Sequence, residues 1–302
     1  MDGYSSRGGL TSVSPLAAEL GDLKRVRDAA SSDSFAVRLF RRAWGDIAAG
    51  FDPRAVAIGV TADAIIATRL GGIDRAVLAA TGVDDADAIL ARGFDEHAGC
   101  IAPALATTLR GGIGQAGAFK PAPAFAEALI RQPRAGATCP GKPRMVLEPA
   151  ENHGDHCLVV AVLGVVLAGH YGADPTTVFV AGLAHHLHNA ALPDSGFAGE
   201  MLLGDALAPL MARLFAREIA TLEAGPAAVV RAALATIGDA DTPEGRAFNA
   251  ADVMDRVLQM RQYDRVAAFT MDQALDDLHL VHAGPLQAFH QSVLHDAGIL
   301  SR

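Results

Sequence analysis

Five times along the chain, a residue that favours helix N-termini stands directly before a proline. The pairs are Ser14-Pro15, Asp52-Pro53, Asp174-Pro175, Thr242-Pro243 and Gly284-Pro285. Proline suits the first helical position because its missing N–H would have no partner there, and the preceding residue caps the open end. Each pair therefore predicts the start of a helix. No segment shows the alternating pattern of a strand beyond one short candidate at residues 145–149, so the expected fold is all-α.

Composition agrees with a helical interior. Hydrophobic residues make up 51% of the 302 residues but aromatic residues only 5%, so few side chains are suited to covering a sheet. The formal net charge of −9 argues against a nucleic-acid backbone as the main partner. The longest apolar run, residues 157–168, is too short to span a bilayer and predicts a buried helix. We expect a soluble, cytoplasmic protein with no membrane association.

The cysteines and the first residues predict the same compartment. Cys100, Cys139 and Cys157 are odd in number, widely spaced and without a CxxC pair, which predicts reduced thiols. The opening "MDGYSSRGGLTSVSP" lacks the basic start and apolar core of a signal peptide. Residues 1–14 are expected to form a disordered tail.

One segment is the best candidate for a boundary between modules. In "QPRAGATCPGKPR", residues 132–144, five of the thirteen residues are Pro or Gly, and such a segment cannot continue a helix. The chain is therefore predicted to have a helical module over residues 15–131 and a second module over residues 145–302. The first module shows no chemical motif and is interpreted as a packing module or as a surface for homo-oligomers.

The second module concentrates histidines at the ends of apolar helices. In "AGLAHHLHNAALPD", residues 181–194, His185 and His186 follow an apolar run that is predicted to start at Pro175. His156 falls in the first turn of a preceding apolar helix, and a third helix carries Asp252 beside apolar residues. Asp255 borders the same apolar stripe, so the residues alone leave these two carboxylates as alternatives. Three buried helices thus each offer a side chain of the type that binds metals.

These motifs resemble the HD-domain superfamily of helical, metal-dependent phosphohydrolases. The similar parts are "H-x-x-x-V-A" from His156, "AGLAHH" ending at His186, and "AAD" ending at Asp252, within about residues 153–262. The resemblance implies an HD-like helical bundle whose metal ligands are His156, His185, His186 and Asp252. This sequence departs from the family twice: His186 stands where the family has aspartate, and Asn189 stands where a catalytic Lys or Glu is usual.

The two departures, at His186 and Asn189, change which metal and which catalytic base are expected. Three imidazoles and one carboxylate favour a divalent transition metal (zinc, iron, nickel, cobalt or manganese) over magnesium. A single ion is expected because the doublet position lacks a carboxylate that could bridge two ions. Since an amide cannot accept a proton as a base, the candidate catalytic groups become His188, His153 and Asp194.

Two functions from different classes follow. The first is a mononuclear metal-dependent hydrolase that acts on a phosphate ester or nucleotide, with a small phosphate-containing substrate. The alternative is a degenerate HD domain that binds a ligand or partner without turnover, in a regulatory or scaffolding role.

A phosphate substrate needs a cation nearby, and four arginines are candidates: Arg213, Arg217, Arg246 and Arg256. The alternative for His156 and His185 is a core histidine whose hydrogen bonds are satisfied, and for His186 it is a simple helix-terminal histidine. Four later histidines are expected to be solvated: His279, His282, His290 and His295.

Overall fold

The computed structural model describes residues 9–28, 31–114, 120–264 and 270–300. Within these ranges every regular element is helical, and the only extended pairings are isolated bridges. The prediction of an all-α fold is confirmed. The α-helices are α1 Gly9–Asp22, α2 Phe35–Ala48, α3 Pro53–Leu70, α4 Arg75–Ala80, α5 Ala86–Asp95, α6 Pro103–Gly111, α7 Ala124–Arg131, α8 His153–Tyr171, α9 Pro175–Ala184, α10 Gly196–Leu203, α11 Leu207–Ile219, α12 Ala224–Leu234, α13 Pro243–Asp264 and α14 Gln287–Asp296.

The capping residue and proline predict the start of three helices correctly. α3, α9 and α13 begin at the proline of their pair. The side chains of Asp52 and Asp174 accept backbone N–H groups in the first turns of α3 and α9, as expected for N-cap residues. At these positions the local chemistry and the fold agree.

The other two pairs were wrong, and so was part of the predicted tail. α1 begins at Gly9 and contains Pro15, so residues 9–14 are helical, while residues 1–8 of the predicted tail lie outside the described residues. Leu10, Val13 and Leu16 are buried along α1, and this burial stabilises the turn that precedes the proline. α14 begins at Gln287, two residues after the proline of its pair.

α8 is the central helix of the molecule. Its residues from 153 to 168 are all buried, and it packs against α2, α9 and α13. It is the one helix in the described part of the chain that is long and apolar enough to cross a membrane, but 83% of its apolar window is buried inside the protein. That burial is typical of the core helix of a soluble protein.

Two glycines let α8 and α9 approach closely. A Cβ atom on Gly182 of α9 would lie 2.5 Å from the Cα of Ala161 in α8, and one on Gly164 of α8 would lie 2.5 Å from a methyl carbon of Val178 in α9. Real Cβ atoms do not come this near, so larger residues would push the helices apart. The small residues at these two positions therefore allow close packing of α8 and α9.

The hydrophobic core runs through both halves of the chain. Buried residues of α1, α2 and α3 belong to the same cluster as those of α8, α9 and α13. Segment 132–144 contains no helix and pairs with the residues that precede α8, through bridges between Pro133 and Asn152 and between Ala137 and Met145. The division into modules at this segment stays a prediction.

Candidate metal centre

Three helices bring the predicted ligands together. The first turn of α8 carries His156, the end of α9 carries His185 and His186, and the middle of α13 carries Asp252. One ring nitrogen of each of the three histidines lies within 4.8 Å of the others. The described residues therefore contain a histidine group that could hold a metal ion.

The start of α8 is fixed by reciprocal hydrogen bonds. The Asn152 side chain accepts from the backbone N–H of Asp155 at 2.9 Å, and the Asp155 carboxylate accepts from the backbone N–H of Asn152 at 3.4 Å. This capping box defines the first turn. Asp155 also accepts a hydrogen bond from Ser34, the N-cap of α2. The position of His156 is thereby tied to both α8 and α2.

The end of α9 explains how two adjacent histidines share one site. On a regular helix neighbouring side chains diverge by about 100°, but α9 ends at Ala184, and a short 3-10 helix follows over Leu187–Ala190. The chain turns at the histidine pair, so the two rings lie with their centroids 4.3 Å apart. The turn of the chain at the end of α9 thus lets both adjacent rings face one place.

Hydrogen bonds fix the tautomers of all three rings. The Nδ1 atom of His156 lies 2.7 Å from an Asp255 carboxylate oxygen, and that of His185 lies 2.7 Å from the Gly182 carbonyl oxygen. Both oxygens can only accept, so each Nδ1 carries the hydrogen. The third ring, His186, lies with its Nδ1 2.8 Å from the Oδ1 atom of Asn189.

The orientation of the Asn189 amide settles the third tautomer. Its Nδ2 group donates to the Leu192 carbonyl at 3.0 Å, so its Oδ1 faces His186 as an acceptor, and the His186 Nδ1 must donate. In their neutral forms all three imidazoles therefore keep a lone pair on Nε2. Donation of the far N–H to a fixed oxygen is the arrangement found around metal-bound histidines.

The distances suit two nitrogens on one ion. The Nε2 atoms of His156 and His185 face each other at 3.1 Å, and two lone pairs at that distance repel unless a cation or a proton lies between them. With metal–nitrogen bonds of about 2.1 Å, two imidazoles on one ion have nitrogens roughly 3.0 to 3.4 Å apart. The residues present therefore fit a metal ion.

Asp252 and Asp255 lie on opposite sides of His156. An Asp252 oxygen is 3.3 Å from the His156 Nε2 atom, and its other oxygen is 3.3 Å from the Arg256 guanidinium. Asp255, one turn later, lies instead at the Nδ1 atom. The fold thus separates two carboxylates that the residue pattern could not tell apart.

Burial and neighbouring charges fix the protonation states. Burial lowers the pKa of His185 to about 3, with a further contribution from His156, so the ring is neutral at neutral pH. Burial and the adjacent His185 hold the pKa of His186 well below its usual range. Burial by itself would raise the pKa of Asp252, but Arg256 and His156 outweigh it and hold that carboxyl well below its usual range. Neutral rings and an ionised carboxylate are the forms that bind metals.

The three predicted catalytic residues surround the histidine cluster. The His153 ring lies 5.0 Å from the His186 ring and the His188 ring 5.7 Å from it. The His153 Nε2 atom is 3.7 Å from an Asp194 oxygen. Both Asp194 oxygens accept backbone N–H groups, from Ala135 at 2.9 Å and Gly196 at 2.8 Å.

Several site residues escaped the sequence reasoning. Lys24, Glu151 and Arg134 lie in segments without a recognisable motif, and only the fold brings Lys24 to Glu151 and Asp255. It also brings Arg134 to Glu151. Asn189 was interpreted only as the loss of a catalytic group, whereas its amide orients His186. Its spacing of three residues from His186, at a helix end, was the one available signal.

Two further expectations can be compared with the structure. His290 was expected to be solvated but is only 8% exposed, because α14 packs against α13 and α1; that expectation was wrong. Of the candidate arginines, Arg256 lies beside Asp252, whereas Arg217 pairs with its neighbour Glu218 and Arg246 donates to backbone carbonyls.

No family model matches the chain, and the comparisons with curated proteins and with solved structures find no match either.

Proposed function

We propose that the chain is a mononuclear, metal-dependent hydrolase of HD type that acts on a phosphate ester or nucleotide. The observation that carries the proposal is the set of three imidazoles whose Nδ1 hydrogens are all held by fixed oxygens while one nitrogen of each ring lies within 4.8 Å of the others. In this proposal His156, His185, His186 and Asp252 hold one divalent transition metal. A bound metal of this kind supplies Lewis acidity, which acidifies water and polarises a phosphoryl oxygen.

Two arginines support an anionic substrate. Arg256 and Arg134 both line a cavity of about 70 Å³, and the Arg256 guanidinium also contacts Asp252. The Nε atom of Arg256 and one terminal nitrogen of Arg134 are buried without a hydrogen-bond partner. Unpaired guanidinium donors inside a protein are costly, and a phosphoryl oxygen is an acceptor that would satisfy them.

His153 is the base that the geometry favours. Its Nδ1 donates to the Gln132 carbonyl at 3.2 Å, and its buried Nε2 has no hydrogen-bond partner. Burial, with a smaller contribution from Arg134, lowers the pKa of His153 to about 4, so the lone pair is available at neutral pH. Asp194, held by two backbone amides, is placed to stabilise the imidazolium that forms when His153 takes a proton.

His188 is the second candidate for proton transfer. Its Nδ1 is buried without a partner, its ring packs against Phe215 at 5.0 Å, and burial lowers its pKa to about 4. It lies further from His186 than His153 does. We therefore expect replacement of His153 to cost more activity than replacement of His188.

The experiment combines metal analysis with turnover. Protein purified without a chelator or a histidine tag is analysed for bound metals and assayed with chromogenic phosphate monoesters and diesters. We expect about one transition-metal ion per chain and metal-dependent hydrolysis. His185→Ala should lose both, whereas His170→Ala, which removes an exposed histidine at the other end of α8, should keep both.

Two outcomes would contradict the proposal in different ways. Protein that takes up no metal, even after supplementation, would mean that His156 and His185 share a proton instead. Protein that holds one ion but turns over neither ester class would favour the non-catalytic binding function. The second function gains support from Asn189 and Asp194, whose polar groups are already engaged by His186, Leu192 and backbone amides.

A further inference from the structure

A buried ammonium lies on the side of His156 that faces away from the other two histidines. Lys24, two residues after the end of α1, is only 4% exposed. Its Nζ atom is 2.7 Å from a Glu151 oxygen and 2.6 and 2.7 Å from the two oxygens of Asp255. Asp255 in turn accepts from the His156 Nδ1 at 2.7 Å. One carboxylate thus joins Lys24 to a predicted metal ligand.

The groups around this ammonium form a cation site in their own right. Glu151 and Asp255 offer carboxylate oxygens that lie within 4.8 Å of each other and of a nitrogen of His156, which donates its Nδ1 hydrogen to Asp255. Paired carboxylates are ligands that a divalent cation accepts. The chain fills the place with its own positive charge, with Arg134 3.9 Å from the second Glu151 oxygen.

We propose that Lys24 occupies a second cation site and thereby limits the centre to a single metal ion. Its ammonium balances Glu151 and Asp255, so no divalent ion is needed there. It also holds Asp255 in the position where that carboxylate accepts the His156 Nδ1 hydrogen, which keeps the Nε2 lone pair directed toward His185. Lys24 is therefore a positioning residue, and it gives the first half of the chain a role in a site otherwise built by the second half.

The statement that the centre holds a single ion rests on the proposed metal-dependent function. The statement that Lys24 fills a second cation site does not depend on that function. The test is the number of divalent ions that the chain binds, measured by equilibrium dialysis against MnCl₂ followed by elemental analysis. We expect about one Mn²⁺ for the wild-type protein and about two for Lys24→Ala. The double variant K24A/E151Q should return to one because it removes a carboxylate of the vacated site. Lys142→Ala, which removes an exposed lysine, should stay at one.

The possible counts separate the two proposals. One ion in both wild type and Lys24→Ala would overturn the role of Lys24 and leave the metal-dependent function standing. No ion in the wild type and one in Lys24→Ala would overturn the metal centre and support the second site. No ion in either protein would overturn both.

Folding of the variant provides a second measurement. Removal of Lys24 leaves two buried carboxylates without their partner, so Lys24→Ala should need a replacement cation in order to fold. We expect the Lys24→Ala variant to recover its native circular dichroism spectrum when it is refolded from denaturant in MnCl₂. In NaCl of equal ionic strength we expect no such recovery. Failure to refold in both salts would overturn the proposal, since a vacated cation site must accept another cation.

Discussion

The two ring nitrogens of His156 face clusters that differ in where their positive charge comes from. At Nδ1, Asp255 and Glu151 are matched by the ammonium of Lys24 at 2.6 and 2.7 Å. At Nε2, the ring meets another imidazole nitrogen at 3.1 Å and a carboxylate oxygen at 3.3 Å. The first cluster is neutralised within the chain, whereas the second brings together nitrogen and oxygen atoms that need a cation or a proton between them.

The difference teaches how a structural polar cluster can be told from a binding site. Buried polar groups in folded proteins are nearly always satisfied, and the Nδ1 side follows that rule. Among the buried atoms that lack a partner in the described residues are one nitrogen each of His153 and His188, whose rings lie 5.0 and 5.7 Å from the His186 ring, and the Nε atom of Arg256, whose guanidinium lies beside Asp252. Unsatisfied groups gathered at one place indicate a site that is completed by a ligand.

The largest loss of stability is expected when the ion pair on the Nδ1 side of His156 is removed. Asp255→Ala leaves Lys24 with one carboxylate and removes the acceptor of the His156 Nδ1 hydrogen. Breaking a buried ion pair in this way should lower the free energy of unfolding by about 3 kcal/mol. The measurement is chemical denaturation of metal-free protein at pH 7.

Asp252→Ala is the matched control, because it removes the same side chain one helical turn earlier. It should cost the metal-free protein far less, since its partner Arg256 is partly exposed, yet it should abolish metal binding. If Asp255→Ala and Asp252→Ala lost equal stability, the two sides of His156 would not differ in the way described.

The stability contributed by the two sides of His156 should be lost in different pH ranges. The pKa of His185 is lowered to about 3 by burial and by His156, below about 6.5 in the unfolded chain. The unfolded state therefore takes up the proton first, and the stability from the neutral ring is lost as pH falls from about 6.5 toward 3, by roughly 1.4 kcal/mol per pH unit.

The Lys24 side should respond at lower pH. Burial alone would raise the pKa of Asp255, but Lys24 and His156 bring it to about 2, so its contribution is present above about pH 4 and is lost as pH falls toward 2. Denaturation of metal-free protein between pH 7 and about pH 2 measures both steps. A His185→Phe variant should reduce the slope of the loss that begins near pH 6.5 by roughly 1.4 kcal/mol per pH unit, while His153 and His188, whose pKa values burial lowers to about 4, still contribute to it. An unchanged profile would argue against a buried neutral ring at His185.

A smaller effect is expected from the residue that fixes the third tautomer. Asn189→Ala removes the acceptor of the His186 Nδ1 hydrogen, so the ring can rotate or change tautomer. Loss of such a partner typically lowers metal affinity about 10- to 100-fold. Competition with a chromogenic chelator measures this affinity, and the Lys142→Ala protein serves as the reference. Unchanged affinity would mean that His186 is not a ligand.

The smallest effect is a change of preference rather than of strength. His186→Asp restores the carboxylate of the resembled doublet and should keep metal binding while shifting preference toward harder ions such as Mn²⁺. The ratio of Mn²⁺ to Zn²⁺ affinity, compared between the variant and the wild type, is the readout. A ratio that stays constant would place the second histidine outside the ligand set.

The sequence by itself determined the helical class and much of the site's outline. Capping residues before prolines act through the backbone within one turn, so Asp52, Asp174 and Thr242 predict helix starts without any tertiary information. A histidine pair before a helix end is likewise local, and it identified residues 185 and 186. Pro15 shows the limit, because burial of the α1 face overrides the local signal.

Only the tertiary structure decided which charged side chains form pairs with one another. Lys24 and Asp255 are 231 positions apart, and Lys24 and Glu151 are 127 apart, so no periodicity relates them. Asp252 and Asp255 both border one apolar stripe, and only the packing of α13 against α8 assigns them to opposite nitrogens of His156. Helix starts depend on neighbours in sequence, whereas ion pairs and tautomers depend on atoms that the packed core brings within 3 Å of one another.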